Sequence, residues 1–209
     1  MSALHVVVYS DFLCPWCFNA YTRLEAVRAA LEPQWGESLE FDWRAFLLRP
    51  VAKAGRDLEK FRAYTQGWKR IAEDEPRAPF RVWASDEAPP THSVPPHLVA
   101  KAALAVGRDA GARMRERLFR AYFTENRDIS AEPNLRALWE ELELPPDVFE
   151  ARLDPALERS VFEEYQEAMD LGATGVPALR LADQEFVLMG AQPEALYMRW
   201  FERARDAQR

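Results

Sequence analysis

The sequence predicts an α/β fold, in which a mixed sheet flanked by helices is built from both ends of the chain and interrupted by an all-helical segment. Three observations predict it. A short β-branched run, Val6 to Tyr9, lies near the start of the chain, and a helical pattern follows it directly. Strand patterns return only from Ala178 onward, and between residues 52 and 155 there is almost no strand pattern.

The first strand and the first helix are predicted from a change in hydrophobic pattern. The run Val6 to Tyr9 is apolar throughout, as in a strand that is buried on both faces. Proline suits the first turn of a helix because its missing N–H would have no partner there, so Pro15 marks the helix start. The apolar residues that follow have the spacing of an amphipathic helix: Phe18, Tyr21, Leu24, Val27 and Leu31.

A second strand is predicted over residues 39–45, where apolar and charged residues alternate. A turn over Pro33 to Ser38 is expected to separate it from the first helix. The strand, helix and strand within residues 4–47 then make a βαβ unit, for which a right-handed crossover is expected.

The middle of the chain is predicted to be helical. A stripe that includes the aromatic residues Phe61, Tyr64 and Trp68 is interpreted mainly as core, or in part as the lining of a client groove, and a proline-rich loop over 76–96 follows it. Further helices are predicted at about 97–109, at about 112–125, after an N-cap at Ser130, and from Pro146.

The last part of the chain returns to the sheet. Asp154 and Pro155 suit the cap and first turn of a long helix, which Gly172 is expected to end. Strands at 178–181 and 185–189 with a tight turn between them predict an antiparallel hairpin, and Pro193 starts a final helix.

These elements predict two units. Residues 1–51 and 156–209 form the sheet-bearing domain, and residues 52–155 form an inserted helical subdomain. The 209 residues, 48% of them hydrophobic, suffice for a real core.

Composition limits the possible functions. The net charge of −7 disfavours a nucleic-acid or anionic-membrane partner, because either would need clustered positive charge. No apolar run approaches the roughly 20 residues that span a membrane. The first strand begins almost at once, with no basic segment and long apolar run ahead of it, so a cytoplasmic location is predicted.

The two cysteines of the chain, Cys14 and Cys17, lie between the first strand and the first helix. A helix N-terminus presents free N–H groups and partial positive charge, which favour a thiolate at Cys14. Where thiols are kept reduced, a cysteine pair is more often catalytic than structural. The sequence therefore predicts a redox site in which Cys14 is the nucleophile and Cys17 attacks the mixed disulfide formed at Cys14.

Two other interpretations of the pair were weighed. A structural disulfide that closes four residues restrains the unfolded chain by only about 2 kcal/mol in the loop-entropy model. A zinc site would need two more ligands, and His5, His92 and His97 lack the usual spacing. Both interpretations are weaker than the redox one, and no metal is predicted.

Three motifs support a family resemblance. SDFLCPWCF at 10–18, GVPAL at 175–179 and GAQP at 190–193 together resemble the DsbA-like branch of the thioredoxin superfamily, and most closely its FrnE-like proteins. The resemblance implies a thioredoxin-like fold interrupted by a helical insertion. It also implies a protein thiol–disulfide oxidoreductase, acting as disulfide oxidase, reductase or isomerase, whose Cys-Pro-Trp-Cys site faces a cis-proline.

The resemblance extends to individual residues around the cysteines. It implies that Pro177 is the cis-proline facing Cys14 and that Val176 offers backbone groups to an extended client peptide. Pro15 and Trp16, between the cysteines, are predicted to contact substrate.

Two more polar residues are assigned to the site. His97 either binds substrate, because related proteins carry a histidine near the groove, or is a solvated or packed histidine. Asp11 either relays the proton of Cys17 or, as a short polar residue at a strand end, forms the turn.

The predicted partners are client protein or small-molecule thiols and disulfides. The chain has no second cysteine pair, so an external thiol donor such as glutathione or a thioredoxin system must recycle it; no cofactor is predicted. The redox direction stays open. An alternative is a small-molecule isomerase or glutathione-linked transferase acting on an aromatic or polyketide-like substrate, although such relatives usually carry a serine or a single nucleophile in place of the pair.

Overall fold

A computed structural model of the protein describes residues 3–36 and 39–207. Within these residues one four-stranded sheet is formed by β1 (Leu4–Ser10), β2 (Leu39–Ala45), β3 (Ala178–Leu181) and β4 (Leu188–Met189), in the order β2-β1-β3-β4. β1 pairs parallel with β2 and antiparallel with β3, and β3 pairs antiparallel with β4. The predicted mixed sheet built from both ends of the chain is confirmed.

Helices account for most of the remaining structure. They are α1 (Pro15–Trp35), α2 (Leu58–Thr65), α3 (Trp68–Asp74), α4 (Val94–Val106), α5 (Arg108–Phe123), α6 (Glu132–Glu141), α7 (Pro146–Phe149), α8 (Pro155–Asp170) and α9 (Glu194–Ala207), with a 3₁₀ turn at Glu150–Leu153. None of the helices in the described ranges is long and apolar enough to cross a membrane.

β1 is the central strand and is buried on both faces, as its uninterrupted apolar run predicts. Val6 and Val8 pack in a cluster with α1 and with Phe201 of α9. Val7 and Tyr9 pack in another cluster with residues of α8 and of the segments flanking the sheet. The strand therefore ends in a fixed position, and the turn that carries the cysteines starts from a rigid support.

The helical middle of the chain packs directly onto the start of α1. One hydrophobic cluster contains Phe12, Cys14 and Phe18 together with Trp68 of α3 and Phe119 of α5. Phe18 stacks on Phe119 with ring centroids 5.2 Å apart. In the described chain no strand lies between β2 and β3. The division into a domain of 1–51 and 156–209 and a subdomain of 52–155 stays a prediction, and the two parts share this core.

Several element boundaries differ from the sequence prediction. α1 continues through Pro33 to Trp35, where a turn was predicted; residues 37–38 of that predicted turn lie outside the described residues. The continuation places Trp35, with Leu31, in the buried cluster behind the sheet. Burial of one more apolar side chain outweighs the hydrogen bond that proline cannot donate.

The middle helices also begin earlier than the predicted boundaries. α4 starts at Val94, so two of the prolines assigned to the loop form its first turn, and α5 starts at Arg108. Ala131, not Ser130, caps α6; the Ser130 hydroxyl instead contacts Thr91 and Asp128. Of the predicted aromatic stripe, Phe61 and Trp68 are buried but Tyr64 is 61% exposed.

The C-terminal elements largely agree with the prediction. Asp154 caps α8 by accepting a hydrogen bond from the backbone N–H of Ala156 at 2.8 Å, and Gly172 adopts a positive φ of 80° after the helix. β4 is shorter than predicted, because it pairs with β3 only at Leu188 and Met189.

Candidate active site

The two cysteines occupy the first turn of α1. Cys14 is the N-cap residue, Pro15 follows at the first helical position, and the backbone N–H of Cys17 donates to the carbonyl of Cys14 at 3.0 Å. Both cysteines are free thiols. Cys14 is 5% exposed and Cys17 is fully buried, so a reagent that approaches the site meets Cys14 first.

Cys14 contacts the loop before β3. Its thiol donates a hydrogen bond to the carbonyl oxygen of Val176, with Sγ and O 3.3 Å apart. The Val176–Pro177 peptide bond is cis, and the backbone N–H of Gly190 donates to the carbonyl of Pro177 at 2.8 Å. The structure therefore brings the segments 10–18 and 175–179 together at one point. The backbone N–H of Val176 has no hydrogen-bond partner within the described residues.

Arg23 holds the third motif segment, 190–193, against α1. Its guanidinium donates to the carbonyl oxygens of Ala191 and Gln192 at 3.4 and 3.3 Å. It also pairs with Asp74 at 2.7 Å and with Glu75 at 3.0 Å. A single buried side chain thus links the helix that carries the cysteines to α3 and to the segment after β4.

The environment of Cys17 keeps it protonated. Burial raises the pKa of the Cys17 thiol well above its usual value, and the hydrogen bond with Cys14 and the charge of Cys14 raise it further. The backbone of Asp11 and the hydroxyl of Ser10 act in the opposite direction. At neutral pH Cys17 is therefore a protonated thiol that is buried behind Cys14.

Asp11 is fully buried and organises the turn before Cys14. One carboxylate oxygen accepts from the N–H of Leu13 at 2.7 Å; the other accepts from the N–H of Leu48 and the hydroxyl of Ser93, each at 2.6 Å. Burial raises the pKa of Asp11 to about 6, while these three hydrogen bonds lower it. The turn-forming interpretation accounts for the bond from Leu13, whereas the bonds from Leu48 and Ser93 tie the turn to two distant segments. The proton-relay role for Cys17 stays a prediction.

The sequence allowed His97 to lie at the substrate groove or to be a solvated or packed residue. In the structure it lies behind the cysteine turn. Its ring is 6% exposed and packs on Phe12, with ring centroids 4.9 Å apart. Burial, followed by the charges of Lys101 and Arg115, lowers the pKa of His97 to about 3. Its Nε2 has no partner in the described chain, and the residue lines a small cavity of about 30 Å³ that Ser10 also lines. A ring that is buried in this way offers little surface to a substrate, and its substrate-binding role stays a prediction.

The residues between the cysteines differ in exposure. Pro15 is buried, whereas the Trp16 ring is 40% exposed and forms an apolar surface beside Cys14. Pro177 is buried and Val176, whose carbonyl contacts the thiol, is half-buried. Their predicted contacts with substrate stay predictions.

A groove opens beside the cysteine turn; Phe61 and Tyr64 of the predicted aromatic stripe line part of it, together with basic residues that the sequence prediction missed. It has a volume of about 710 Å³ and extends from Leu13, the neighbour of Cys14, along the segment 48–64. Its basic lining residues, Arg49, Lys53, Arg56 and Lys60, recur at spacings of three and four, and Asp57 also lines it. The sequence shows this regular spacing of basic residues, but nothing in it indicated that the segment folds back toward Cys14.

A mixed sheet flanked by helices, with a cysteine pair at the start of the first helix and a proline loop across from it, is the arrangement of a thioredoxin-type thiol–disulfide oxidoreductase. Within residues 3–36 and 39–207, no three His, Cys, Asp or Glu side chains lie together as possible metal ligands.

Comparison with known proteins identifies the family. Residues 5–199 match the family described as DSBA-like thioredoxin domain, and the chain belongs to this family. A probable DsbA oxidoreductase from Streptomyces coelicolor is 26% identical, with 97% of this chain and 90% of that chain covered and a TM-score of 0.73. The cytosolic disulfide reductase DsbM from Pseudomonas aeruginosa, also solved with GSH, is 23% identical over 98% of both chains, with a TM-score of 0.73.

The same fold also occurs in a different class of enzyme. A 2-hydroxychromene-2-carboxylate isomerase is 21% identical, with 98% of this chain and 97% of that chain covered and a TM-score of 0.64. The family and the enzyme class predicted from the sequence are confirmed. The more specific resemblance to the FrnE-like branch stays a prediction.

Proposed function

We propose that the protein exchanges disulfides with its clients through a mixed disulfide on Cys14 that Cys17 resolves. The proposal rests on the different burial of the two sulfur atoms. Cys14 faces the 176–177 loop, with its Sγ 3.3 Å from the Val176 carbonyl, and Cys17 lies fully buried behind it. The first thiol meets the client and the second is shielded until the first has reacted.

The steps balance as follows in the reducing direction. The Cys14 thiolate attacks one sulfur of a client disulfide, which forms the Cys14–client bond and releases the other client sulfur as a thiolate. Cys17 then loses its proton and attacks the sulfur of Cys14, which forms the Cys14–Cys17 disulfide and releases the client as a dithiol. The client gains two electrons, which the protein loses, and an external thiol donor restores the dithiol.

The 176–177 loop supports client binding in this scheme. The backbone N–H of Val176 has no partner in the described chain, and an extended client strand can accept its hydrogen bond next to Cys14. Trp16 adds an exposed apolar surface on the other side of the thiol. Both positions agree with the substrate contacts inferred from the family.

Glutathione or a thioredoxin system is the proposed external donor, and the cytoplasm is the proposed location. The chain contains a single cysteine pair, so electrons must arrive by exchange with another thiol. Either redox direction is chemically available, and the potential of the donor relative to the Cys14–Cys17 pair decides between them.

The test combines turnover with trapping. Insulin reduction in the presence of dithiothreitol is expected from the wild type and not from Cys14→Ser. With Cys17→Ser, a disulfide-bonded client is expected to stay attached to Cys14 as an adduct on non-reducing gels, because the resolving thiol is absent. A Cys17→Ser protein that forms no adduct, or a Cys14→Ser protein that retains turnover, would contradict this division of roles.

The alternative of an isomerase or glutathione-linked transferase makes a different prediction. Such an enzyme converts an aromatic or polyketide-like substrate without net oxidation of Cys14 and Cys17. Turnover of such a substrate by the Cys17→Ser variant at the wild-type rate would favour that alternative.

A further inference from the structure

The groove beside Cys14 contains three cations that have no acidic partner. Arg49, Lys53 and Arg56 line it, and none forms an ion pair with an acidic side chain of the described residues. By contrast, Lys60 and Asp57, which also line the groove, pair with each other at 3.9 Å, and nearby Arg62 pairs with Glu59 at 2.7 Å. In a chain with a net charge of −7, a group of unpaired cations in a groove that reaches the cysteine turn at Leu13 requires an explanation.

The backbone fixes the positions of these cations. The backbone N–H of Ser93 donates to the carbonyl of Arg49 at 2.9 Å, and the N–H of Lys53 donates to the carbonyl of Thr91 at 3.2 Å. The Arg56 guanidinium donates to the carbonyl of Pro90 at 3.0 Å. The loop 90–93 therefore holds the basic segment in place before any ligand arrives, which lowers the entropic cost of binding.

The positive charges of Arg49 and Arg56 repel each other. Burial lowers the pKa of Arg56, and the positive charge of Arg49 lowers it further. The Arg56 guanidinium also lies over the ring of Phe61, 4.6 Å from its centroid. An anion between Arg49 and Arg56 would relieve their repulsion and accept hydrogen bonds from both guanidinium groups.

The rest of the groove suits a peptide. The Tyr122 hydroxyl has no hydrogen-bond partner in the described chain and interacts with the charges of Arg49 and Arg56. Tyr64 stacks on Phe61 with ring centroids 6.0 Å apart and is 61% exposed. A peptide backbone has polar groups for the hydroxyl, and its side chains can cover the exposed ring.

We propose that this groove binds the carboxylates of a peptide thiol or disulfide and directs its sulfur to Cys14. The groove begins at Leu13, next to Cys14, so a ligand held by Arg49 and Arg56 can extend to the thiol. Glutathione disulfide and an acidic segment of a protein disulfide share this chemistry. The inference rests on the proposed exchange reaction and names its substrate class.

The test compares an anionic with a neutral disulfide. Reduced protein is mixed with glutathione disulfide or with bis(2-hydroxyethyl) disulfide, and the second-order rate constant for loss of the Cys14 thiol is measured. The double variant Arg49→Gln/Lys53→Gln is expected to lower the rate constant for glutathione disulfide at least tenfold and to change that for the neutral disulfide less than twofold. Arg203→Gln, an exposed cation on α9 outside the groove, is the matched control and is expected to change neither.

Equal losses with the two disulfides, or no loss with glutathione disulfide, would overturn the proposal. Salt is expected to slow the reaction of glutathione disulfide with the wild type and not that of the neutral disulfide, since salt screens exposed charges. An acidic and a neutral peptide disulfide of equal length then distinguish the source of the carboxylates. Sensitivity of glutathione disulfide alone indicates a small-molecule partner, and sensitivity of both glutathione disulfide and the acidic peptide indicates that the groove also accepts a protein client.

A binding measurement separates this inference from the proposed reaction. S-Methylglutathione carries the same carboxylates but no thiol, so it cannot take part in exchange. Calorimetry is expected to show weaker binding of S-methylglutathione to Arg49→Gln/Lys53→Gln than to the wild type or to Arg203→Gln. If binding shows this pattern but no disulfide exchange occurs, the proposed reaction is wrong and the assignment of the groove as a carboxylate site stands. If exchange occurs but all three proteins bind S-methylglutathione equally, the assignment of the groove is wrong and the proposed reaction stands.

Discussion

The Cys14 thiol donates a hydrogen bond to the Val176 carbonyl oxygen 3.3 Å away, and so joins two residues that are 162 positions apart in the chain. Behind it, Cys17 is fully buried. This contact brings the two ends of the sheet-forming sequence together at one sulfur, and it allows the roles of the two cysteines to be tested separately.

Alkylation of the reduced, folded protein is expected to label Cys14 first. Cys17 is buried and its pKa is raised, so its thiolate fraction at neutral pH is small. Timed reaction with iodoacetamide, followed by mass spectrometry of the peptide that carries both cysteines, is expected to show at least tenfold faster labelling of Cys14. The difference should disappear in denaturant, which serves as the control. Equal labelling rates of the two cysteines in the folded protein would contradict the conclusion that Cys14 reacts first and Cys17 is shielded.

Asp11→Asn is expected to change how stability depends on pH. Because the pKa of Asp11 is raised to about 6 on folding, the native state binds its proton more tightly than the unfolded state does, and the stabilising contribution is lost as the pH rises through 6. The free energy of unfolding of Asp11→Asn relative to wild type should therefore increase by about 2 kcal/mol from pH 4 to pH 7. Urea unfolding of variant and wild type at pH 4 and pH 7 measures this difference in free energy of unfolding. The same difference at both pH values would show that the Asp11 carboxyl does not titrate in this range.

His97→Phe is expected to act in the opposite direction. The pKa of His97 falls to about 3 on folding, so the unfolded state binds the proton first and the histidine destabilises the protein as the pH falls below about 6.5. Between pH 7 and pH 5 the wild type should lose about 2 kcal/mol more than His97→Phe. His5→Gln, at an exposed histidine, is the control for urea unfolding. An equal loss in wild type and His97→Phe would show that His97 is protonated in the folded protein.

Arg23→Met is expected to destabilise the protein by about 3 kcal/mol, because it removes a buried ion pair and leaves the carbonyl oxygens of 191 and 192 without a donor. Arg28→Met, which breaks an exposed pair with Glu25 on the same helix, should cost less than about 1 kcal/mol. Thermal and urea unfolding of the two variants provide the comparison. Similar losses would mean that the Arg23 cluster is not a link between α1, α3 and the segment after β4.

Much of the fold was predictable because its signals are local. The run Val6 to Tyr9 predicted a strand buried on both faces, and the alternation over 39–45 predicted β2 with its observed bounds. The cap at Asp154 predicted the start of α8. The errors occurred where burial overrides propensity, as in the continuation of α1 through Pro33 to bury Trp35.

The candidate site was predictable only in part. The spacing of Cys14 and Cys17 at a strand-to-helix junction indicated the chemistry. No local pattern indicated that the loop 46–57 lies beside Cys14, because its basic residues resemble a solvated surface when they are viewed in sequence. The same limitation applied to His97, whose burial depends on packing against Phe12 from a distant segment.

The sequence by itself thus determined the elements, the cysteine pair and its position at the start of α1, since each depends on residues within one or two helical turns or along one strand. Only the tertiary structure decided which distant groups surround that pair. The Val176 carbonyl reaches Cys14, and Leu48 and Ser93 reach Asp11, because β1 lies between β2 and β3 in the sheet and the N-cap of α4 lies beside the residue that follows β1. Those contacts depend on strand order and helix packing, which are set by burial over the whole chain and leave no periodic signal in any single segment.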